Sequence, residues 1–174
     1  ADTREQVADL SAAIRDQRTA ARRHNDGAVL ATARGEEIGL GDRVATRHND
    51  ADLGVANRQT WTVTGIGKDG DLVLHGRGRD HLIPADYAVQ YVELAYATTV
   101  HGVQGETVET AHVLIGEHTG AASAYVAMTR GRQSNVAHLI AESVEEAERQ
   151  WIDVFGRQRA DLGNRDILVI ANAA

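Results

Sequence analysis

The sequence has no cysteine and only one lysine among its 174 residues. Without cysteine, the chain has no disulfide framework, no thiolate zinc site and no cysteine nucleophile. The single lysine, Lys68, lies in GIGKDG, which does not match the G-x-x-x-x-G-K-[ST] pattern of a phosphate-binding P-loop. The sequence therefore contains no P-loop of that type.

Long apolar runs and an excess of basic residues are also missing. No stretch approaches the about 20 apolar residues that cross a membrane, and the first residues, ADTREQVADL, lack the pattern of a signal peptide. We therefore expect a cytoplasmic protein with no membrane span. The net charge of −7 argues against a general DNA-coating protein, so any contact with nucleic acid must be local.

Aromatic residues make up only 4% of the chain, although 43% of it is hydrophobic. This balance favours layered α/β packing over an aromatic-rich β-sandwich. The stretch TREQVADLSAAIRDQRTAARR predicts a helix that begins with a capping box of Thr3 and Gln6. The recurrence of Val7, Leu10 and Ile14 predicts its apolar face.

The residue pattern changes between residues 41 and 87, where a small β module is predicted. Trp61, Val63 and Ile66 indicate a strand, Asp69-Gly70 a tight turn, and DLVLHG the return strand. Trp61 is predicted to fill the core of this module. DNA contact is the alternative for Trp61, and the polar candidates of the module are Arg43, Arg47, Asn49, Asn57 and Arg58, with Arg77 and Arg79 in a later loop.

The rest of the chain predicts three buried strands and two helices. The strands are YVELAYATTV, AHVLIG and NVAHLIA. The first helix covers GAASAYVAMTR, with Thr119 as its cap and Gly131 as its stop. The second has a Ser143–Glu146 capping box and one apolar stripe of Val144, Ala147, Trp151 and Val154. This order is typical of a doubly wound α/β domain.

A polar cluster follows the first of these predicted strands. It contains Thr99, His101 and Gln104, with Gly102 and Gly105 between and after them. Ligands of open α/β sheets bind beyond the carboxyl ends of strands, and glycine allows a close backbone approach to a phosphate. Phosphate binding is therefore one interpretation. A polar turn around a hydrogen-bonded core histidine is the other.

Two arginines, Arg130 and Arg132, follow the helix in YVAMTRGR. The helix dipole alone favours basic groups there, and an arginine also suits stabilisation of a transferring phosphoryl group. Both interpretations are open at this level. His101, His112 and His118 match no compact metal-ligand spacing, so no metal site is predicted.

Taken together, AYATTVHGVQGETVETAHVLIG and AYVAMTRGR resemble the fifth and sixth signature motifs of superfamily-1 DNA helicases. The resemblance is to the RecD-like branch, and most closely to the helicase region of conjugative relaxases of the TrwC and TraA type. GDRVATRHNDADLGVANRQTWTV is similar to the segment that opens the SH3-like insert of that branch, and TREQVADLSAAIR to the helix after its fourth motif.

The resemblance implies an α/β fold in which a RecA-like (P-loop NTPase-type), doubly wound domain lacks the P-loop and carries a small SH3-like β-barrel insert. The RecA-like part would be residues 1–40 and 88–160, the insert 41–87 and the tail 161–174. The implied function is the second motor domain of an ATP-dependent 5′-to-3′ DNA helicase or translocase of conjugative DNA transfer. In the intact parent protein, ATP and Mg²⁺ would bind between this domain and the missing first RecA-like domain, which is its partner. This chain alone is expected to bind neither and to be inactive.

The implied site has three groups of residues. Arg130 resembles the arginine finger. Nucleotide contacts fall on Gln104, Gly105, Glu106 and Arg132, and single-stranded DNA contacts on Thr99, His101, Arg47, Asn49 and Arg58. The chain departs from the family pattern at Glu106, where many relatives have Gly-x-Glu after the glutamine, and at Asn57-Arg58, where the insert often has Asn-Gly. The alternative function is a non-enzymatic DNA- or protein-binding module on a degenerate RecA-like scaffold.

Overall fold

The computed structural model describes residues 3–21, 27–103, 107–116 and 119–156. The chain divides into two compact units between Gly102 and Val103. Among these described residues, the first unit has antiparallel strands and two α-helices, and the second has two parallel strands and two α-helices. The described chain is therefore a mixed α/β protein, as predicted. The predicted domain boundaries at residues 41, 87 and 160 stay predictions.

Helix α1 (Arg4–Ala21) opens the first unit. The predicted capping box is confirmed, because the Gln6 amide donates to Thr3 Oγ1 at 3.2 Å and the Thr3 amide to Gln6 Oε1 at 3.4 Å. The buried stripe of α1 differs from the prediction: it consists of Val7, Ser11 and Arg15, while Leu10 and Ile14 are half-buried. The polar residues Arg15 and Ser11 can be buried in this stripe because they bond to groups elsewhere in the same unit.

Seven strands follow α1 in this unit. They are β1 (Val29–Ala31), β2 (Glu37–Gly39), β3 (Arg43–Thr46), β4 (Thr60–Ile66), β5 (Leu72–Gly76), β6 (Arg79–Ile83) and β7 (Val92–Leu94). β1 and β2 form a hairpin, and the other five form one antiparallel sheet in the order β6-β5-β4-β3-β7. The predicted hairpin around Asp69-Gly70 is confirmed as β4 and β5.

The core of the first unit lies against this sheet. Thirteen buried side chains form it: Leu30, Ile38, Val44, Val55, Trp61, Val63, Leu72, Leu74, Ile83, Tyr87, Ala88, Val92 and Leu94. Trp61 is only 2% exposed, so the core interpretation of this residue is confirmed. Its indole Nε1 donates to Thr46 Oγ1 at 3.2 Å, which satisfies the one polar atom of the ring.

The predicted strand YVELAYATTV is mostly wrong. Helix α2 (Ala85–Tyr91) begins after Pro84 and includes Tyr91, β7 is three residues long, and a 3₁₀ turn covers Val100–Val103. Proline is favoured at a helix start because it has no N–H to satisfy. β7 ends at Leu94, and two residues later the Tyr96 hydroxyl donates to Asp42 Oδ1 at 2.8 Å.

The second unit contains β8 (Val108–Ile115), α3 (Ala121–Met128), β9 (Gly131–Leu139) and α4 (Val144–Gly156). β8 and β9 pair in parallel, with α3 as the crossover between them. α3 begins after Gly120, whereas the predicted cap, Thr119, accepts a hydrogen bond from the Gly116 amide at 2.9 Å. Among the described residues, no helix combines the length and the apolar character that a bilayer crossing requires.

The start of α4 matches the prediction, and its apolar stripe does so only in part. The Glu146 amide donates to Ser143 Oγ at 3.2 Å, which confirms the Ser143 cap. Within the predicted stripe, Val154 is 1% exposed, but Val144 is 71% exposed. The stripe is therefore buried at its carboxyl-terminal end and open at its beginning.

Candidate functional site

A cavity of about 450 Å³ lies within the first unit. Four arginines and two glutamates line it: Arg4, Arg34, Arg47, Arg58, Glu36 and Glu93. The chain as a whole carries a net charge of −7, so this cavity is a local concentration of positive charge on an acidic protein. Such a concentration attracts anions more strongly than the overall charge indicates.

One wall of the cavity comes from the loop between β3 and β4. The Thr46 hydroxyl donates to Ala56 O at 2.6 Å, and the Arg58 amide donates to Thr46 O at 2.7 Å. These bonds hold Asn57 and Arg58 on the cavity wall beside Arg47, which directly follows β3. The buried Trp61 supports the arrangement through its bond to Thr46.

Arg58 has a backbone φ of 66°, in the left-handed region that favours glycine. This is the position where the resembling insert often has Asn-Gly. A non-glycine residue at such a φ costs about 1–2 kcal/mol and is informative when it lies in a site. Here the residue that takes this conformation contributes a guanidinium to the cavity.

Asn49 has a supporting position. Its Oδ1 accepts a hydrogen bond from the Asn57 amide at 2.8 Å, which closes the loop. Asn49 does not belong to the residues that line the cavity, whereas Asn57 does. Its predicted contact with DNA stays a prediction, and the observed role is to hold Asn57.

The opposite wall consists of Thr98, Thr99, His101 and Gly102. The Gly102 amide donates both to Thr99 O at 2.8 Å and to Thr99 Oγ1 at 3.2 Å. A Cβ on Gly102 would collide with the Thr98 hydroxyl, so any larger residue at this position would force the Thr98 side chain to move. The fold thus brings Thr99 and His101 to the same cavity as Arg47 and Arg58, from distant parts of the sequence.

Two carboxylates modify the charge of this cavity. Glu93 Oε2 lies 2.9 Å from Arg34 Nη1, and Glu93 also pairs with Arg47. Burial raises the pKa of Glu36, and the nearby charge of Glu93 acts in the same direction, while a hydrogen bond from the Leu94 amide lowers it. The sequence analysis missed Arg34, Glu36 and Glu93. The signal for Glu93 was its place between Val92 and Leu94, since alternation puts its side chain on the face opposite to theirs.

Arg130 lies in the second unit, at the turn between α3 and β9. It is half-buried, and its Nε donates to Val126 O at 2.9 Å and its Nη2 to Thr129 Oγ1 at 3.1 Å. Arg132 is exposed, with Nη1 3.8 Å from Glu109 Oε1. The predicted nucleotide residues Gln104, Gly105 and Glu106 lie outside the described residues.

The resemblance implies a nucleotide beside Arg130 and Arg132, and the surroundings of these two arginines show whether they suit its phosphates. The carbonyl of Arg130 accepts a hydrogen bond from the Val108 amide at 3.0 Å, which ties the turn to the start of β8. Arg130 and Arg132 are thus two guanidinium groups at one end of a parallel strand pair, and guanidinium suits phosphate recognition. Their chemistry fits the phosphate side of a nucleotide.

The histidines have separate environments. His112 Nδ1 lies 2.9 Å from His138 Nε2 on the exposed face of β8 and β9, with the rings stacked. His101 belongs to the first unit, and His118 lies outside the described residues. Within the described ranges, no group of three or more His, Cys, Asp or Glu is arranged to hold a metal ion.

Comparison with known proteins identifies relatives of this chain, although no family model matches it. The uncharacterized protein Rv2311 of Mycobacterium tuberculosis is 32% identical over 120 residues, which cover 67% of this chain and 68% of Rv2311. The multifunctional conjugation protein TraI of Escherichia coli is 33% identical over 115 residues, or 62% of this chain and 6% of TraI.

Among solved structures, the Pif1 helicase from Bacteroides in complex with ADP-AlF3 and single-stranded DNA matches with a TM-score of 0.59 and 19% identity. The match covers 93% of this chain and 44% of the Pif1 chain. This likeness concerns the fold, which this chain shares with part of the Pif1 helicase. The narrower RecD-like assignment stays a prediction.

Proposed function

The chain belongs to the same family as the uncharacterized protein Rv2311 of Mycobacterium tuberculosis, and from this premise we propose that it binds single-stranded DNA as part of a superfamily-1 helicase motor. The observation that supports this most is the cavity of the first unit. It is lined by Thr99, His101, Arg47 and Arg58, which are four of the five residues predicted to contact DNA; Asn49 is the fifth and lies outside the lining. The matching Pif1 structure is a complex with single-stranded DNA.

The chemistry of the cavity suits a nucleic-acid strand. Guanidinium groups bind phosphates bidentately, and the Thr99 hydroxyl can bond phosphate or sugar oxygens. Val7 and Ala8 of α1 add an apolar part to the lining, against which a base can pack. Because these contacts are to phosphate and to base faces, we expect binding that depends on salt and little on base sequence.

We extend the proposal to the motor as follows. Arg130 acts as the arginine finger of the second motor domain, with Arg132 and the segment of Gln104, Gly105 and Glu106 toward the nucleotide. ATP and Mg²⁺ supply the phosphoryl-transfer chemistry in a protein that also carries a first RecA-like domain. The guanidinium would stabilise charge that develops on the transferred group, and this chain alone would not hydrolyse ATP. Similarity to the conjugation protein TraI supports a role in conjugation, and 5′-to-3′ movement along DNA is part of this proposal.

One observation favours a second candidate function. Rv2311 has nearly the same length as this chain, since the match covers almost equal shares of both. The region that the two chains share makes up about two thirds of Rv2311. The second candidate is therefore a non-enzymatic module that binds DNA or a partner protein on a RecA-like scaffold.

Binding of a fluorescein-labelled oligothymidylate of 12 nucleotides, followed by fluorescence anisotropy, tests the shared part of both candidates. We expect Arg47→Ala to weaken binding about threefold to tenfold and to lower the salt slope by about 0.7, the contribution of one phosphate on a single strand. Arg149→Ala removes an exposed arginine of α4 and serves as the control. Equal affinity of both variants and the unaltered chain would contradict the proposal.

ATP hydrolysis separates the two candidates. A first RecA-like motor domain, added as a separate chain with single-stranded DNA, should gain ATPase activity from a true second motor domain. A non-enzymatic module would leave the rate unchanged. The Arg130→Ala variant is the matched control, because it removes only the proposed finger.

A further inference from the structure

Glu93 lies between two of the arginines that line the cavity. Its Oε2 is 2.9 Å from Arg34 Nη1, and its Oε1 pairs with Arg47 Nη2. The side chain of Glu93 is 13% exposed, compared with 61% for Arg34 and 30% for Arg47. One nearly buried carboxylate therefore engages two cations at the edge of an otherwise basic cavity.

The backbone fixes Glu93 in this position. β7 pairs with β3 in the register Ala45 opposite Glu93, with Val92 and Leu94 buried at 3% and 2% exposure. Because side chains alternate along a strand, Glu93 must point away from the core and toward the cavity. The Arg47 amide donates to Tyr91 O at 2.7 Å, which holds the start of the arginine side chain close to β7.

Arg34 reaches Glu93 from the turn between β1 and β2. The turn closes through a bond from the Gly35 amide to Thr32 O at 2.9 Å, and it is attached to α2 by a bond from the Ala33 amide to Val89 O at 2.8 Å. The two arginines therefore approach Glu93 from separate, independently anchored segments. Their convergence on one carboxylate is a property of the tertiary structure.

We propose that the Glu93 carboxylate competes with the phosphate groups of a bound strand. Glu93 occupies Arg34 and Arg47 until a nucleic-acid strand displaces it. This inference rests on the proposed function of the cavity. A carboxylate and a phosphate bind the same guanidinium edge, so both cannot hold it at once. Glu93 thus sets the affinity of the site and allows each phosphate to leave it again.

Glu93→Gln tests the proposal, because it keeps the shape of the side chain and removes its charge. Because the variant frees two guanidinium groups from their ion pairs, we expect it to bind the 12-nucleotide oligothymidylate about threefold to tenfold more tightly. The salt slope should become steeper by about 0.7 for each phosphate that gains an arginine. A merely structural role of Glu93 would not steepen this slope.

Two controls complete the experiment. Glu145→Gln makes the same change in net charge on an exposed residue of α4 and should leave the affinity unchanged. In an Arg47→Ala background, Glu93→Gln should have a smaller effect, since one of the two competing pairs is already absent. Thermal unfolding checks that each variant is folded, and Glu93→Met, which is of similar length, replaces Glu93→Gln if that variant melts early.

The outcomes distinguish this inference from the proposed function. Binding by the unaltered chain, with equal or weaker binding by the folded Glu93 variant, would overturn the competitor role and assign Glu93 to positioning the arginines. Absence of salt-dependent binding by both the unaltered chain and the Glu93 variant would overturn the proposed function itself. Tighter binding by Glu93→Gln together with a steeper salt slope supports both.

Discussion

Asp42 and Arg15 form a buried ion pair, with 2.9 Å between Oδ2 of the carboxylate and Nε of the guanidinium. The Asp42 side chain is 6% exposed and that of Arg15 9%, and the same carboxylate accepts bonds from the Gly39 amide and the Tyr96 hydroxyl. This pair attaches α1 to the sheet of the first unit. The chain segment that carries Tyr96 leads directly to the cavity wall at Thr98 and Thr99.

Removal of one partner of this pair should destabilise the first unit. We expect Asp42→Ala to lower the free energy of unfolding by about 3–5 kcal/mol, because it removes the nearest partner of the buried Arg15 charge and leaves Glu37, at 3.5 Å, as a weaker one. Urea unfolding measures the change. Asp52→Ala, which removes an exposed carboxylate, should change the same quantity by less than about 1 kcal/mol. Similar losses in both variants would contradict the role assigned to the pair.

Arg58 should show opposite effects on stability and binding. Arg58→Gly relieves the cost of a φ of 66°, and Arg58→Ala does not, although both remove the guanidinium. We expect the glycine variant to be more stable than the alanine variant by about 0.5–1 kcal/mol. Both should bind oligothymidylate more weakly than the unaltered chain. Thermal unfolding and anisotropy give the two quantities, and tight binding by Arg58→Gly would exclude a phosphate contact of Arg58.

Gly102 should be required for the shape of the cavity. A Cβ there would collide with the Thr98 hydroxyl, so Gly102→Ala should displace the Thr98–Gly102 turn and weaken oligothymidylate binding about tenfold. Gly120→Ala makes the same substitution where no atom lies within 4 Å of the added Cβ. That control should bind like the unaltered chain. Equal behaviour of the two variants would show that the turn does not contribute to binding.

The stability of the first unit should depend on the ionisation of Glu36. Burial raises the pKa of this carboxyl above its ordinary value of 4.5, so the folded state binds its proton more tightly than the unfolded state. The stability contribution of Glu36 therefore falls as pH rises from 4.5 through the raised pKa, and the ionised form is unfavourable at pH 7.

Glu36→Gln should accordingly be more stable than the unaltered chain at pH 7. The Gln side chain can still accept the bond that the Leu94 amide donates to Glu36 at 3.2 Å. Urea unfolding at a series of pH values should show the difference shrink toward pH 4.5, where Glu36 is increasingly protonated. A difference independent of pH would assign the effect to packing and not to charge.

In a protein that carries both motor domains, Arg130→Ala should lower the ATPase rate about 10³-fold or more. Binding of single-stranded DNA should remain within about twofold, because Arg130 is outside the cavity of the first unit. Steady-state hydrolysis and anisotropy on the same preparation test this. Comparable losses of both activities would indicate misfolding of the α3 turn in place of a catalytic role.

Local patterns predicted several elements correctly. The capping boxes of Thr3 with Gln6 and of Ser143 with Glu146 depend on residues three positions apart. The structure confirms both bonds of the first and the Ser143 cap of the second. The alternation in β4 depends on a single strand and is also confirmed. The prediction for YVELAYATTV failed because an apolar run does not by itself show how many of its residues pair in a sheet. Only Val92–Leu94 form a strand, while Tyr91 ends α2 and the Tyr96 hydroxyl bonds to Asp42.

The candidate site was predictable as residue types but not as an arrangement. Thr99, His101, Arg47 and Arg58 are visible in the sequence as groups suited to a nucleic-acid strand, and the cavity joins all four. Arg34 and Glu93 were missed because their importance comes from a contact across 59 positions of sequence. Asn49, which has the same donors and acceptors as Asn57, supports the loop from outside the cavity.

The sequence by itself determined that the chain has no cysteine chemistry and no P-loop, and that its α/β core must come from aliphatic side chains, since these properties depend on composition and local pattern. The tertiary structure alone decided that a protein of net charge −7 has a basic cavity, and that a glutamate already occupies two of its arginines. The physical reason is that electrostatic interactions depend on distance in space, which the antiparallel pairing of β3 and β7 sets for these residues.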